Sequence, residues 1–195
     1  MMRSPGRPKD EAIDHALAGA ITDIIHEGDT AEVTVRRLAS RAGVTRDAFY
    51  RRFTGLGHFL ITIAVARYEV GFAPDTGDLG EDLHRIQLEQ IAMFSDPVSK
   101  RFLAVLMHAV ASDPTAARAF DEKFLAPRRV AFLAVLDRAV ARGEIPPVAD
   151  PDAALAMTAG PMFFRALLPA TGELDDAFAR SSADALHAML RAGAC

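Results

Sequence analysis

Six arginines fall within the twenty residues from Thr34 to Phe53, TVRRLASRAGVTRDAFYRRF, against the single acid Asp47; the stretch carries +5 in a chain whose formal total is -4. A guanidinium is planar, permanently charged and rich in donors, which suits it to phosphate oxygens and to the O6/N7 edge of guanine. A small basic patch on an acidic body is the electrostatic footprint of nucleic-acid contact. The competing reading is a solvated amphipathic helix pair, and the neighbouring residues decide between the two. Val35, Leu38 and Ala39 make one short apolar helical face, Val44, Ala48, Phe49 and Phe53 make a second, and Gly43 interrupts them. Two helices joined by a short turn containing Gly form the helix-turn-helix pattern. Gly43 suits a turn that needs positive φ. Ala39 is small where crossing helices must approach, and Thr45 stands at the N-cap of the second helix.

The second helix of the pair, expected over Arg46 to Arg52, is the one that would read bases. Its exposed candidates are Arg46, Asp47, Tyr50 and Arg51, and Ala48 is small enough to touch a base directly. Arg46 is the candidate partner of guanine, since Arg is the commonest specific contact there. Thr34 and Arg36, at the start of the preceding helix, are candidate backbone contacts that position the motif without reading sequence. Thr45 and Arg52 complete the candidate DNA-contacting set, while Phe49 and Phe53 are expected in the core. Ahead of the motif, Arg3, Arg7 and Lys9 surround Pro5-Gly6 and Pro8 in a basic arm. Arg7 is the arm's candidate contact to a minor groove or a phosphate; the alternative is a basic tail without a partner.

These residues resemble the TetR family of bacterial transcriptional regulators. The likeness rests on Thr34-Val35-Arg36, Leu38-Ala39, Arg41-Ala42-Gly43-Val44 and Phe49-Tyr50-x-x-Phe53, with Gly6-Arg7-Pro8 and an apolar first helix, and covers about residues 3 to 72. It implies an all-helical homodimer with an N-terminal DNA-binding domain and a larger ligand-binding domain. It also implies repression relieved by a small molecule and a phosphate contact through the Tyr50 hydroxyl. One departure stands out: the family's Lys at the start of the fourth helix is here Leu56. Backbone amides at that helix start can still bind phosphate, and Arg52, where a His is common, is expected to supply the missing charge.

The scaffold follows from periodicity. Half the chain is hydrophobic and a quarter charged, as in ordinary globular proteins. Strand-like alternation is scarce, so the fold class is all-α: a three-helix helix-turn-helix domain followed by a helical ligand-binding and dimerisation domain. Boundaries are placed at residues 1–55 for the arm and DNA-binding domain, 56–77 for a connecting helix and linker, and 78–195 for the second domain. Ile13, Leu17, Ala20, Ile21, Ile24 and Ile25 define a first helix ended by Gly28. A fourth helix is expected from Leu56 to about Phe72. Asp78, Asp96-Pro97, Asp113-Pro114, Asp150-Pro151 and Asp175 each read as an N-cap of a later helix. Pro127 should kink or split the helix that contains it.

In the second domain, Pro151 to Leu168 is apolar almost all round, which demands burial on every side. Met157, Phe164 and Leu168, with Phe178, Ala185 and Met189 of the closing helix, are the candidate interface of a two-fold dimer. Phe94, Phe102, Met107, Phe124, Phe132, Met157, Met162, Phe163 and Phe164 are large soft side chains suited to an adaptable apolar pocket, or to packed core. Gln87, Gln90 and His108 are polar groups on apolar faces that can orient an apolar or aromatic effector; for His108 the competing role is a satisfied core histidine.

Catalysis and cofactors find little support. His15, His26, His58, His84, His108 and His187 show no metal-ligand spacing, and the one cysteine is Cys195, which excludes an internal disulfide. No Gly-rich phosphate loop, nucleophile elbow, signal peptide or spanning segment is present, so a soluble cytoplasmic protein without cofactor or metal is expected. The expected partners are double-stranded operator DNA, a second copy of the chain and an unknown small-molecule effector. Within the regulator class the alternative is an activator or an effector-independent regulator; a helical hydrolase or lipid carrier without DNA binding is the rival class.

Overall fold

The computed structural model describes residues 8–28, 30–68, 72–94 and 96–194, and only the backbone of 8–10, 31 and 169. The described residues form ten α-helices: α1 Pro8–His26, α2 Val35–Arg41, α3 Arg46–Tyr50, α4 Leu56–Arg67, α5 Leu79–Met93, α6 Pro97–Ser112, α7 Pro114–Phe120, α8 Ala126–Ala141, α9 Pro151–Leu167 and α10 Asp176–Arg191. One π turn, Asp121–Leu125, joins α7 to α8. No strand occurs among the described residues. The fold is all-α.

Helix starts follow short-range chemistry. The carboxylate of Asp78 accepts from the amide of Glu81 at 2.8 Å, Asp96 from Ser99 at 2.9 Å, Asp113 from Thr115 at 2.8 Å, Asp150 from Ala153 at 2.9 Å and Asp175 from Phe178 at 2.8 Å. Each satisfies a donor that the first helical turn leaves orphaned. Helix ends use glycine where the backbone must turn left-handed. Gly143, at φ 76°, closes α8, and the amide of Glu144 returns to the Ala139 carbonyl at 3.0 Å. The helix expected to be kinked or split by Pro127 is divided just before it. The backbone passes through the π turn just before it and resumes as α8, with Pro127 in the first turn, where its missing N–H costs least. The fourth helix ends at Arg67, short of the expected Phe72, which lies outside any helix.

The chain packs as two compact units that do not follow chain order: residues 1–64 with 101–119, and residues 65–100 with 120–195. In the first, α1 packs on α2 and α2 on α3. Leu17, Ile21, Ile24, Leu38, Phe49, Phe59 and Leu60 are fully buried there. Phe59 lies edge-on to Phe49 and Phe53, with centroids 5.7 and 5.0 Å away. Arg101 of α6 donates through Nη1 to the carbonyls of Ile25 and His26, a cation at the C-terminal end of α1. The second unit is organised by α10 packing along α5. Its core unites Leu79, Leu83, Val135, Leu136, Ala154 and Leu186.

Gly57 of α4 marks a close approach within the first unit. A Cβ at Gly57 would lie 2.5 Å from the Ala116 Cβ. Gly57→Ala is expected to lower the Tm, because overpacking costs about 1–3 kcal/mol against a helix-propensity gain of about 1 kcal/mol. In an Ala116→Gly background the loss should disappear. A Tm at or above the parent's for the single variant refutes the tight contact.

Candidate nucleic-acid interface

The α2–α3 connection leaves the backbone little freedom. Gly43, at φ 65°, follows α2; its amide bonds to the Ser40 carbonyl at 3.2 Å, and the amide of Val44 returns to the Ala39 carbonyl at 2.9 Å. This pair of bonds is the Schellman closure of a helix. The next residue opens α3, as Thr45 Oγ1 accepts from the Ala48 amide at 3.1 Å. Thr34 does the same for α2, accepting from the Arg37 amide at 3.2 Å. Thr34 and Thr45 therefore hold the two helix starts while remaining exposed.

The six arginines fall into two groups. Arg37 pairs with Glu32 at 2.8 Å and Glu27 at 3.5 Å, Arg41 with Glu27 and with Asp23 at 3.7 Å, and Arg52 donates through Nε to Asp14 at 2.8 Å. Asp14, Asp23 and Glu27 lie on α1 or just past its end, so these pairs fasten α1 to the motif. Arg36, Arg46 and Arg51 are exposed, and none has an acid partner among the described residues. Asp47 is exposed beside them, and Tyr50 is 48% exposed, its ring set edge-on to Phe49 at 5.5 Å.

Two expectations change. Ala48 is buried on the same face as Phe49, so its methyl faces the core and cannot reach a base. Arg52, expected to replace the charge missing at Leu56, has a side chain only 15% exposed and is engaged with Asp14. At the α4 start the Thr54 amide donates to His58 Nδ1 at 3.3 Å, a role for His58 that its lone position in the sequence did not signal. Arg7 lies outside the described residues.

The residues proposed for a ligand separate between the units. Gln90, Phe94, Phe132 and Phe163 line one cavity of about 110 Å³ in the second unit. Gln87 borders it in sequence but is tied down: it donates to Ser182 at 2.9 Å and accepts from Gln90 at 3.0 Å. Met162 is fully buried elsewhere in the core. Phe102, Met107 and His108 belong to the first unit, where His108 lines an open cleft with Leu56, Ala104 and Asp113. Phe124, one of the large soft side chains singled out in the sequence, lines the cavity too; the sequence missed Phe120 and Arg128, because residues on either side of a π turn have no simple period. Burial holds the Arg128 guanidinium below the usual arginine range, and the charge of Glu89 opposes that shift in part.

On α9, Ala154, Thr158, Met162 and Ala166 are the buried stripe. The opposite face is open: Met157, Phe164, Leu167 and Leu168 are exposed, Phe164 by 56%. Met157 and Pro161 line a shallow groove with Phe178, Ala185 and Met189 of α10. A helix that is apolar almost all round thus keeps an open apolar face in one chain.

Comparison with known proteins bears on this arrangement. Residues 19–55 match the model of bacterial regulatory proteins of the tetR family, and residues 73–186 that of the tetracyclin repressor-like C-terminal domain. The chain belongs to the TetR family. It is a transcriptional regulator that binds DNA through its helix-turn-helix, in a family of regulators and not of enzymes. It is 28% identical over 186 residues to the uncharacterized HTH-type transcriptional regulator YdeS of Bacillus subtilis (strain 168), covering 92% of this chain and 90% of YdeS. The crystal structure of the TetR family transcription regulator SCO0332 is similar at 26% identity and TM-score 0.65, over 94% of this chain and 98% of that one. FadR from Bacillus subtilis, solved in complex with stearoyl-CoA, shares the fold at 15% identity and TM-score 0.59, over 92% and 98% of the two chains. No helix among the described residues is long and apolar enough to cross a membrane.

The division of the arginines can be measured. Arg51→Ala should leave stability unchanged and reduce the slope of log K against log salt by about 1, as for one lost phosphate contact. Arg52→Ala should lower stability by roughly 1 kcal/mol or less and leave that slope alone. A salt slope that changes with Arg52 but not with Arg51 inverts the assignment.

Proposed function

We propose that this TetR-family protein is a homodimeric repressor of a near-palindromic operator, released by a small apolar or aromatic effector. The observation that carries the reading is the exposed set Arg36, Arg46, Asp47, Tyr50 and Arg51 on the α2–α3 pair, with three guanidinium groups that no acid of the described residues neutralises. Arg46, in the first turn of α3, is placed to read a guanine edge. Arg36 and Arg51, with the Tyr50 hydroxyl, take phosphates and fix the register. Two recognition helices, one from each copy, enter successive major grooves about 34–36 Å apart.

The open apolar face of α9 and α10 supports the dimer. Phe164, Met157 and Leu168, with Phe178, Ala185 and Met189, are covered when two copies pack their α9 and α10 helices together about a two-fold axis. The cavity lined by Phe94, Phe132 and Phe163 supports an effector site. Helix α4, whose residues up to Ala64 pack in the first unit and the rest in the second, carries the change between sites. The effector releases DNA only by as much as it prefers the state that binds DNA poorly.

Three measurements test this. Replacement of Arg46 by Ala should cost about 1–3 kcal/mol and relax preference at one base pair, whereas equal weakening on all sequences reassigns it to phosphate. Phe164→Asp should convert a dimer to a monomer by analytical ultracentrifugation and weaken binding to a two-half-site operator; an unchanged sedimentation coefficient removes α9 from the interface. Gel-shift titration with and without effector should show DNA and effector weakening each other's binding by the same factor, and affinities that do not respond to each other leave a regulator without this effector coupling.

A further inference from the structure

A line of hydrogen bonds in the second unit joins the wall of the cavity to the open apolar face. Gln90 lines the cavity, and its Nε2 donates to Gln87 Oε1 at 3.0 Å. Gln87 is 1% exposed, and its own Nε2 donates to Ser182 Oγ of α10 at 2.9 Å. Ser182 in turn lines the groove between α9 and α10, with Met157, Phe178 and Ala185. Two other polar groups of the cavity wall lead elsewhere: Thr158 donates to the Leu155 carbonyl at 2.7 Å, and Arg128 to that of Phe124 at 3.0 Å. On α10 the neighbouring Ser181 donates to the Ala177 carbonyl at 2.9 Å, whereas Ser182 has no acceptor of its own among the described residues.

A side-chain amide has a donor end and an acceptor end, and a buried one must satisfy both. While Gln90 donates, Gln87 presents its oxygen to Gln90 and its NH2 to α10. Ser182 then accepts from within the core and keeps its hydrogen for a partner in the groove. If Gln90 is drawn away or made an acceptor, a half-turn of the Gln87 amide exchanges the two ends. Ser182 must then donate inward, and it meets the groove as an acceptor only. From this geometry we infer that Gln87 is a two-state polarity relay, by which Gln90 at the cavity wall sets whether Ser182 donates or accepts at the dimer face. The inference rests on the reading of α9 and α10 as that face and of the cavity as the effector site, and it names how one reaches the other. A small ligand that draws the Gln90 amide to itself thereby lowers the affinity of the two copies for each other.

The test measures the dimer dissociation constant of the full-length protein by sedimentation equilibrium at neutral pH. Gln90→Glu keeps the shape of the side chain at a half-buried position but can only accept, so Gln87 has to turn its NH2 toward it. It should weaken the dimer roughly fivefold or more, since a two-fold interface loses the bond twice. In a Ser182→Ala background the same substitution should have no further effect, because the group through which it acts is gone. Gln90→Leu adds no charge and should also weaken the dimer only when Ser182 is present, which keeps the inference testable if the acidic variant does not fold. Equal weakening by Gln90→Glu with and without Ser182 assigns the effect to charge and overturns the relay. A dimer that responds to neither Gln90 variant overturns the relay and leaves the dimer reading standing. A parent chain that sediments as a monomer overturns both.

Discussion

The geometry of the DNA-binding unit depends on four consecutive residues, Ala42 to Thr45. Within them one helix is closed through Gly43 and Val44 and the next is opened by Thr45 Oγ1. Because both sets of orphaned backbone groups are satisfied across so short a connection, the angle between α2 and α3 is fixed by hydrogen bonds and not by side-chain packing alone. Helices of seven and five residues have little propensity to form by themselves. They exist because each is capped and because Leu38, Ala39 and Phe49 are buried against α1 and α4. The turn sets α3, with Arg46 and Arg51, against α2, which carries Arg36.

Given that frame, charge does two separate jobs. The +5 of the segment counts six arginines alike, yet half of them are consumed within the fold by Asp14, Asp23, Glu27 and Glu32. Single exposed pairs of this kind contribute about 0–1 kcal/mol. Their larger effect is to hold α1 across the back of the motif and to leave Arg36, Arg46 and Arg51 as the positive face. The acids of α1 thus sharpen the basic patch: they remove charge where it would be non-specific and leave it around α3.

What the sequence made legible was whatever is local. The Asp caps at 78, 96, 113, 150 and 175, the Gly43 turn and the buried phenylalanines all depend on spacings of a few residues, and they hold in the structure. The pairing of Arg52 with Asp14 spans 38 residues, and nothing in either neighbourhood announces it. Ala48 illustrates a different limit. In a helix of five residues a shift of one position separates the buried face from the exposed one, and smallness alone does not say which side a residue takes. Helix α6 shows the same ambiguity on a larger scale. Its apolar stripe of Phe102, Leu103 and Leu106 is plain in the sequence, but a stripe does not name the neighbour it packs on, and residues 101–119 join the N-terminal unit.

The π turn at Asp121–Leu125 ties the remaining features of the second unit together. Pro127 has no N–H to give to a carbonyl one turn earlier, and its ring crowds that carbonyl in a regular helix. A π turn relaxes the conflict by moving the backbone bond one residue further along, as in the bond from the Ala126 amide to the Asp121 carbonyl. The same local change leaves Phe124 and Arg128 on the cavity wall, where the guanidinium takes the Phe124 carbonyl and covers the Phe124 ring. An apolar side chain at 128 would fill that wall at no cost in desolvation, whereas a half-buried guanidinium carries a standing penalty. Among its neighbours here are a ring face, one carbonyl and a thioether. Where the helix changes its winding ahead of Pro127 thus decides which side chains of this stretch line the cavity.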